Sequence, residues 1–386
     1  MSKLEITLKS CAACKPSRHT FRQLIILRTM KSYNRCLKQL RTAGIYPFKT
    51  VPNCRMIGCH FDIRSSWRDL LTHPQVRLVE KDLKLRAHGL ERNKCKARRS
   101  RSLPLITRAT APALITWNIN RIKAPKAWKT TRGHGIKIAV IDTGIANHPN
   151  LKIAGGINTI DGGSFADDNG HGTHVAGIVS AAGIPGKIIG TAPEAALYAV
   201  KALDRNGNGY VSDIIEGIDW CIRKKMKVIN MSLGLLGSES SESLHAAVKR
   251  AAKQGIVIVA SAGNSGSTSG KIDEPASFAE TIAVAASNRS NQIADFSSRG
   301  KGISITAPGK KIWSTWLGGT YSVQSGTSMA APHVAGGAAL LMAGKAGLSP
   351  LAVKTRLRRS AIKLKGYGTR SQGSGLMQLD RIFLSK

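Results

Sequence analysis

Two patterns of apolar and polar positions take turns along residues 111–386. One is short and unbroken: IKIAVID at 136–142 and GIVIVAS at 255–261 are apolar at nearly every position. The other returns to apolar residues at helical spacing, as in VSDIIEGIDWCIRKK (211–225) and SLHAAVKRAAKQG (243–255). Strands with no polar face have no wet side, so the alternation predicts an α/β fold: a three-layer, doubly wound, mainly parallel sheet covered by helices on both faces over 113–386. Functional groups in such sheets collect beyond the carboxyl ends of the strands.

The first part of the chain reads differently. RMIGCHFDI (55–63) and VRLVEKDLKL (76–85) predict strands, SWRDLLTH (66–73) a short helix, and NRCLKQLRTAG (34–44) a helix stopped by glycine. Residues 31–94 are therefore expected to form a small α+β domain. Residues 95–112, CKARRSRSLPLITRATAP, mix basic, small and proline residues without periodicity and read as a linker. Residues 1–30 carry no assignment.

Charge adds a constraint. The 386 residues carry a formal net charge of +36. Residues 1–110 hold 25 of the 58 basic and 6 of the 22 acidic residues, and the remainder hold 33 and 16, so both parts are basic. Such a surface attracts polyanions without selecting among sequences, and no RNP or zinc-finger motif accompanies it. The seven cysteines (Cys11, Cys14, Cys36, Cys54, Cys59, Cys95 and Cys221) are odd in number. With no apolar run in MSKLEITLKS to act as a signal peptide, they suggest a reducing, cytoplasmic setting. CAAC at 11–14 has CxxC spacing but no second pair for zinc, and no stretch approaches the roughly 20 apolar residues of a membrane span.

Candidate chemistry lies in three glycine-flanked blocks. Asp142 ends an apolar strand and precedes Thr-Gly, His171 sits in NGHGTHVAG (169–177) at the mouth of an apolar helix, and Ser328 sits in SGTSMAAPHVAG (325–336) at the mouth of another. Taken singly, each has an ordinary reading as a turn or helix cap. His171 and His174 could be a metal pair, though no HExxH or cysteine cluster completes one. Together they supply an orienting carboxylate, a general base and a hydroxyl nucleophile, which hydroxyl-based acyl transfer requires.

In the order Asp, His, Ser, the blocks IAVIDTGI, NGHGTHVAG and GTSMAAPHVAG resemble the signature blocks of the subtilisin family of serine proteases. The resemblance implies an endopeptidase working through an acyl-enzyme on Ser328 and acting on protein or peptide substrates, with no cofactor for its chemistry. It implies an oxyanion hole of the Asn264 amide, in ASAGNSG (260–266), and the Ser328 backbone N–H. It places Gly207, Gly209, Ser232, Leu233, Gly234 and Gly263 along an extended-substrate cleft. It also implies that residues 31–94 are a propeptide that inhibits the enzyme until cleavage near 95–112. A hydrolase of simple esters, a transpeptidase, or a basic binding protein on the same scaffold remain alternatives.

Two departures from the family pattern stand out. Where the family's strong calcium site uses a carboxylate, this chain has Asn150, and the facing loop AAGIPGKIIG (181–190) is short and lacks asparagine. Structural calcium is therefore in question, and no metal ligands are assigned. Near the expected floor of the pocket for the residue before the scissile bond (P1) stands KIDEPAS (271–277). Asp273 or Glu274 there would favour a basic P1 residue, or the pair would be an exposed acidic loop.

Overall fold

The computed structural model describes residues 3–13, 15–89, 111–235, 239–268 and 270–384. The linker lies outside these, apart from its last two residues, as do Cys14 and Cys95. A seven-stranded sheet organises the larger unit, in the order Ile305–Pro308, Thr281–Ser287, Val257–Ser261, Val228–Met231, Lys137–Asp142, Ala196–Lys201, Ile153–Asn158. Every neighbouring pair is parallel. The unbroken apolar runs follow from burial on both faces. Ile138 and Val140 of one strand pack with the helices His171–Ser180 and Thr327–Gly344, while Ala139 and Ile141 face Val211–Arg223 and Glu242–Lys253. The expected doubly wound α/β class is the observed one.

A four-stranded antiparallel sheet builds the smaller unit, in the order Lys49–Val51, Met56–Asp62, Thr20–Leu27, Val76–Lys81. The sheet reaches back into residues 1–30, which also supply the helix Lys3–Cys11. Thr29 caps the helix Met30–Thr42 by accepting from the Ser32 amide, so that helix begins four residues before the predicted NRCLKQLRTAG segment. SWRDLLTH forms only a single 3-10 turn, Trp67–Leu70.

The strand Thr20–Leu27 is buried on both sides. Ile25 and Leu27 join the smaller unit's own core with Tyr33, Leu40 and Phe61. Leu24 and Ile26 join the core of the larger unit beside Val211, Ile214 and Leu244. The two units thus share one apolar cluster between them, and polar contacts fix their register. Glu80 accepts from Ser241 Oγ and the Glu242 N–H at the start of Glu242–Lys253, at 2.7 and 3.0 Å. Asp82 accepts from the N–H and Oγ of Ser212, each at 2.9 Å, at the start of Val211–Arg223. Carboxylates at these two positions satisfy backbone N–H groups that have no partner within the helix. Lys49 is buried between Asp213 and Glu216, at 2.9 and 2.7 Å. Burial raises the Asp213 carboxyl to about 6 even with that ammonium beside it.

VRLVEKDLKL is two strands rather than one. Asp82 and Leu83 carry the chain from Val76–Lys81 in the small sheet to Lys84–Ala87, the central strand of a three-stranded sheet. Its neighbours, Leu233–Leu235 and Asn208–Tyr210, both belong to the larger unit and both run antiparallel to it. The end of the small unit therefore completes a sheet at the carboxyl edge of the large one.

Candidate active site

Asp142 is the last residue of its strand and fully buried. Its Oδ1 accepts from the Thr143 N–H and meets His171 Nδ1, both at 2.7 Å. His171 is the first residue of its helix, and Asp167 builds that start. The Asp167 carboxylate accepts from the N–H groups of Asn169, Gly170 and Thr173, each at 2.9 Å, and from Thr173 Oγ1 at 2.6 Å. Gly172 allows the close approach of helix and strand: a Cβ there would fall 2.1 Å from the Gly144 carbonyl oxygen and 3.2 Å from Asp142 Cβ. Burial opposes protonation of His171, but the Asp142 carboxylate, helped by Asp167, outweighs it and holds the imidazole above the usual histidine value.

Ser328 is the second residue of the buried helix Thr327–Gly344. Its hydroxyl donates to the Ser232 carbonyl at 2.9 Å, while His171 Nε2 is buried without a hydrogen-bond partner. In this side-chain rotamer the hydroxyl therefore does not engage the imidazole. Asn264 is held by its oxygen, which accepts from the Thr327 N–H and Oγ1 at 3.0 and 2.9 Å. That leaves the Asn264 amide to donate, and it donates to the His88 carbonyl at 2.6 Å.

The remaining expected site residues gather along residues 85–88. Gly209 pairs with Leu85, Gly234 with Arg86 and Leu233 with Ala87. The Gly207 carbonyl accepts from the Ala87 N–H at 2.9 Å, and the Ser232 carbonyl accepts from the His88 N–H at 3.1 Å. Gly263 backs Asp273, and Asp273 Oδ2 lies 2.9 Å from His88 Nε2. Glu274 turns away and accepts from the Ser241 N–H. Asp273, and not Glu274, is thus the carboxylate in the pocket.

Sequence reasoning passed over His88, Ser261, Asp167 and Thr327. Asp167 had a legible signal, an aspartate three residues ahead of the helix-opening Gly-His. The others become visible only when distant segments meet. His174, suggested above as half of a metal pair, is buried and bonded through Nε2 to the Ile312 and Ser322 carbonyls. Burial pushes it down to about 3. It fills a structural position, and among the described residues no group of three or more His, Cys, Asp or Glu could hold a metal.

Comparison with known proteins follows the same outline. The subtilase family model matches residues 133–377. The chain belongs to the subtilase family. It is 42% identical to subtilisin Savinase of Lederbergia lenta over 268 residues, 69% of this chain and 97% of that protein. It is 44% identical over 266 residues to the minor extracellular protease Epr of Bacillus subtilis, of which it spans 41%. It is 39% identical over 313 residues, 81% of each chain, to a thermostable alkaline protease of Halalkalibacterium halodurans. This subtilase is a subtilisin-like serine protease, a serine endopeptidase acting on proteins, and its chemistry needs no cofactor.

The cytoplasmic placement is corrected by these relatives, among them Epr, named an extracellular protease. Cysteine usage misled because four of the described cysteines pack as small buried side chains. Cys11, Cys36, Cys59 and Cys221 are buried, and burial pushes the Cys59 thiol up to about 12. Among the described residues no helix is long and apolar enough to cross a membrane.

The donors around Asn150 do not fit the calcium site common in subtilases. Asn150 is fully buried, and its neutral side chain is spent on the facing loop. Oδ1 accepts from the Gly183 and Ile184 N–H groups at 3.1 and 3.3 Å, and Nδ2 donates to the Ile188 carbonyl at 2.8 Å. The amide hydrogens thus occupy a loop carbonyl that a cation would need, and among the described residues no group of three or more His, Cys, Asp or Glu could hold a metal ion. A chelator is expected to leave the melting temperature unchanged. Asn150→Ala, which strands these buried groups, should cost about 1–3 kcal/mol in denaturant titration. A large chelator-induced drop would contradict this account.

Proposed function

We propose that Ser328 is the nucleophile, His171 the base and then the acid, and Asp142 the carboxylate that orients it. Asn264 Nδ2 and the Ser328 backbone N–H then receive the charge that develops on the substrate carbonyl oxygen. The observation that carries this reading is the seating of one peptide unit, His88–Gly89. Its carbonyl accepts from Asn264, and the N–H of the preceding unit, that of His88, shares the Ser232 carbonyl with the Ser328 hydroxyl. On its other side, a methyl group at Gly89 would lie 3.5 Å from His171 Cδ2. Nucleophile and base therefore flank the same bond. Rotation of the Ser328 side chain exchanges the Ser232 carbonyl for His171 Nε2, whose lone pair has no other partner.

On this reading the small unit is a propeptide: it fills the cleft as a strand, blocks other substrates, and is removed by the enzyme itself in a setting outside the cell. Main-chain pairing on both sides of Lys84–Ala87 makes such an inhibitor effective with little dependence on side chains. A serine-directed fluorophosphonate tests the assignment. Once the small unit has left, the label is expected on the peptide containing Ser328. Label on another residue, or none on the processed chain, would overturn the reading.

A further inference from the structure

His88 enters its pocket with both ring nitrogens bonded. Nδ1 lies 2.7 Å from Ser261 Oγ, and Nε2 lies 2.9 Å from Asp273 Oδ2. The two partners sit on opposite edges of the ring, and Ser261 is fully buried. The wall beside the ring is bare backbone: a Cβ on Gly234 would fall 2.2 Å from His88 Nε2 and 2.9 Å from Asp273 Cβ. Backbone without a side chain thus closes on the ring at Gly234, and each ring nitrogen meets one polar group. Resting on the catalytic reading above, we infer that this pocket selects histidine at P1, with Asp273 and Ser261 as its specificity-determining residues, and that His88–Gly89 is the first bond the enzyme cuts.

The alternatives satisfy fewer of these groups. Phenylalanine or leucine leaves the buried Ser261 hydroxyl and the Asp273 carboxylate without a donor or acceptor from the substrate. Lysine or arginine reaches Asp273 through one end of a flexible stem and sets methylenes against Ser261. The imidazole meets both groups at once through its two nitrogens, on a short side chain with few rotamers to fix. Sites built to hydrogen-bond a substrate group reject analogues lacking it far more strongly than apolar pockets reject a change of size. Cleavage places the cut six residues before the arginine-rich linker begins. Ser328 Oγ adds to the His88 carbonyl carbon and its proton passes to His171 Nε2. The bond to the Gly89 nitrogen breaks as that nitrogen takes the proton, and water then hydrolyses the His88 ester, restoring the Ser328 hydroxyl.

Two measurements on the full-length chain decide this. Intact mass and terminal sequencing of the separated pieces should show a small unit ending at His88. Quenched peptides that keep Lys84–Ala87 and Gly89 and vary only the intervening residue should show kcat/KM for His at least about tenfold above Phe, Leu, Lys and Arg. Asp273→Asn and Ser261→Ala should each shrink that preference, and fluorophosphonate labelling verifies that the variants are folded. A mature enzyme that labels at Ser328 and cleaves the panel with Phe, Leu or Arg equal to His would overturn the specificity. A small unit ending elsewhere, with His88–Gly89 uncut, would overturn the bond assignment. Failure to label or to cleave any peptide would instead strike at the catalytic reading beneath both.

Discussion

Ser328→Ala keeps the chain at full length and slows its own cleavage by on the order of 10⁶, the scale known for the equivalent loss in subtilisin itself. The substitution is gentle to the fold. Ser328 is fully buried, and its hydroxyl makes one hydrogen bond, to the Ser232 carbonyl, which also accepts from the His88 N–H. Losing it should cost about 1 kcal/mol of stability, which a denaturant titration can confirm. Chemistry, by contrast, loses its only attacking atom. Asn264 and the cleft still bind the carbonyl, so residual hydrolysis by water remains above the uncatalysed rate. Incubation without host proteases is the decisive arrangement: the wild type separates into two pieces and the variant does not. Separation of the alanine variant at the same bond and rate would remove Ser328 from the mechanism.

The same geometry shows what the sequence could disclose. The large unit was legible because its strands have no wet face and its three glycine-flanked blocks carry distinct chemical types in order. The small unit was legible only in part. QLIIL, at 23–27, shows no alternation because Ile25 and Leu27 serve its own core while Leu24 and Ile26 serve the neighbouring unit. Nothing local distinguishes such a strand from any short apolar run. The break in VRLVEKDLKL was hidden for a related reason. Asp82 leaves the strand pattern to cap the start of Val211–Arg223, 130 residues away in the chain. His88 and Ser261 become partners across 173 residues. Tertiary contacts of this kind set the register of the cleft, and local propensity does not record them.

Asp142→Asn tests the electrostatic half of the site. Oδ1 of Asp142 accepts from both the Thr143 N–H and His171 Nδ1, while the buried Oδ2 has no partner. An asparagine must either place its NH₂ in that partnerless position or turn it toward His171 Nδ1. The second choice forces the imidazole proton onto Nε2, where it can no longer accept from Ser328, and kcat should fall by about four orders of magnitude, as in other triad enzymes. The pH profile carries the more specific signature. His171 must be neutral to act, so activity is full above its pKa and lost as pH falls through it. In the wild type the Asp142 charge holds that pKa above the ordinary value against the opposing effect of burial. The acid limb of kcat/KM therefore lies above about 6.5. Removing the charge leaves burial dominant, and the limb of the residual activity should move to lower pH. Linkage gives the opposite sign for folding: the raised pKa supplies stability that is complete below the unfolded value and is lost as pH rises through the folded one. Alkaline pH should thus raise wild-type activity while withdrawing the contribution of the His171–Asp142 pair to stability; the asparagine variant should show the first trend only at lower pH and lack the second. Rate profiles and denaturant midpoints measured on both proteins from pH 5 to 9 separate these outcomes. An unmoved acid limb would show that Asp142 sets the orientation of His171 but not its charge.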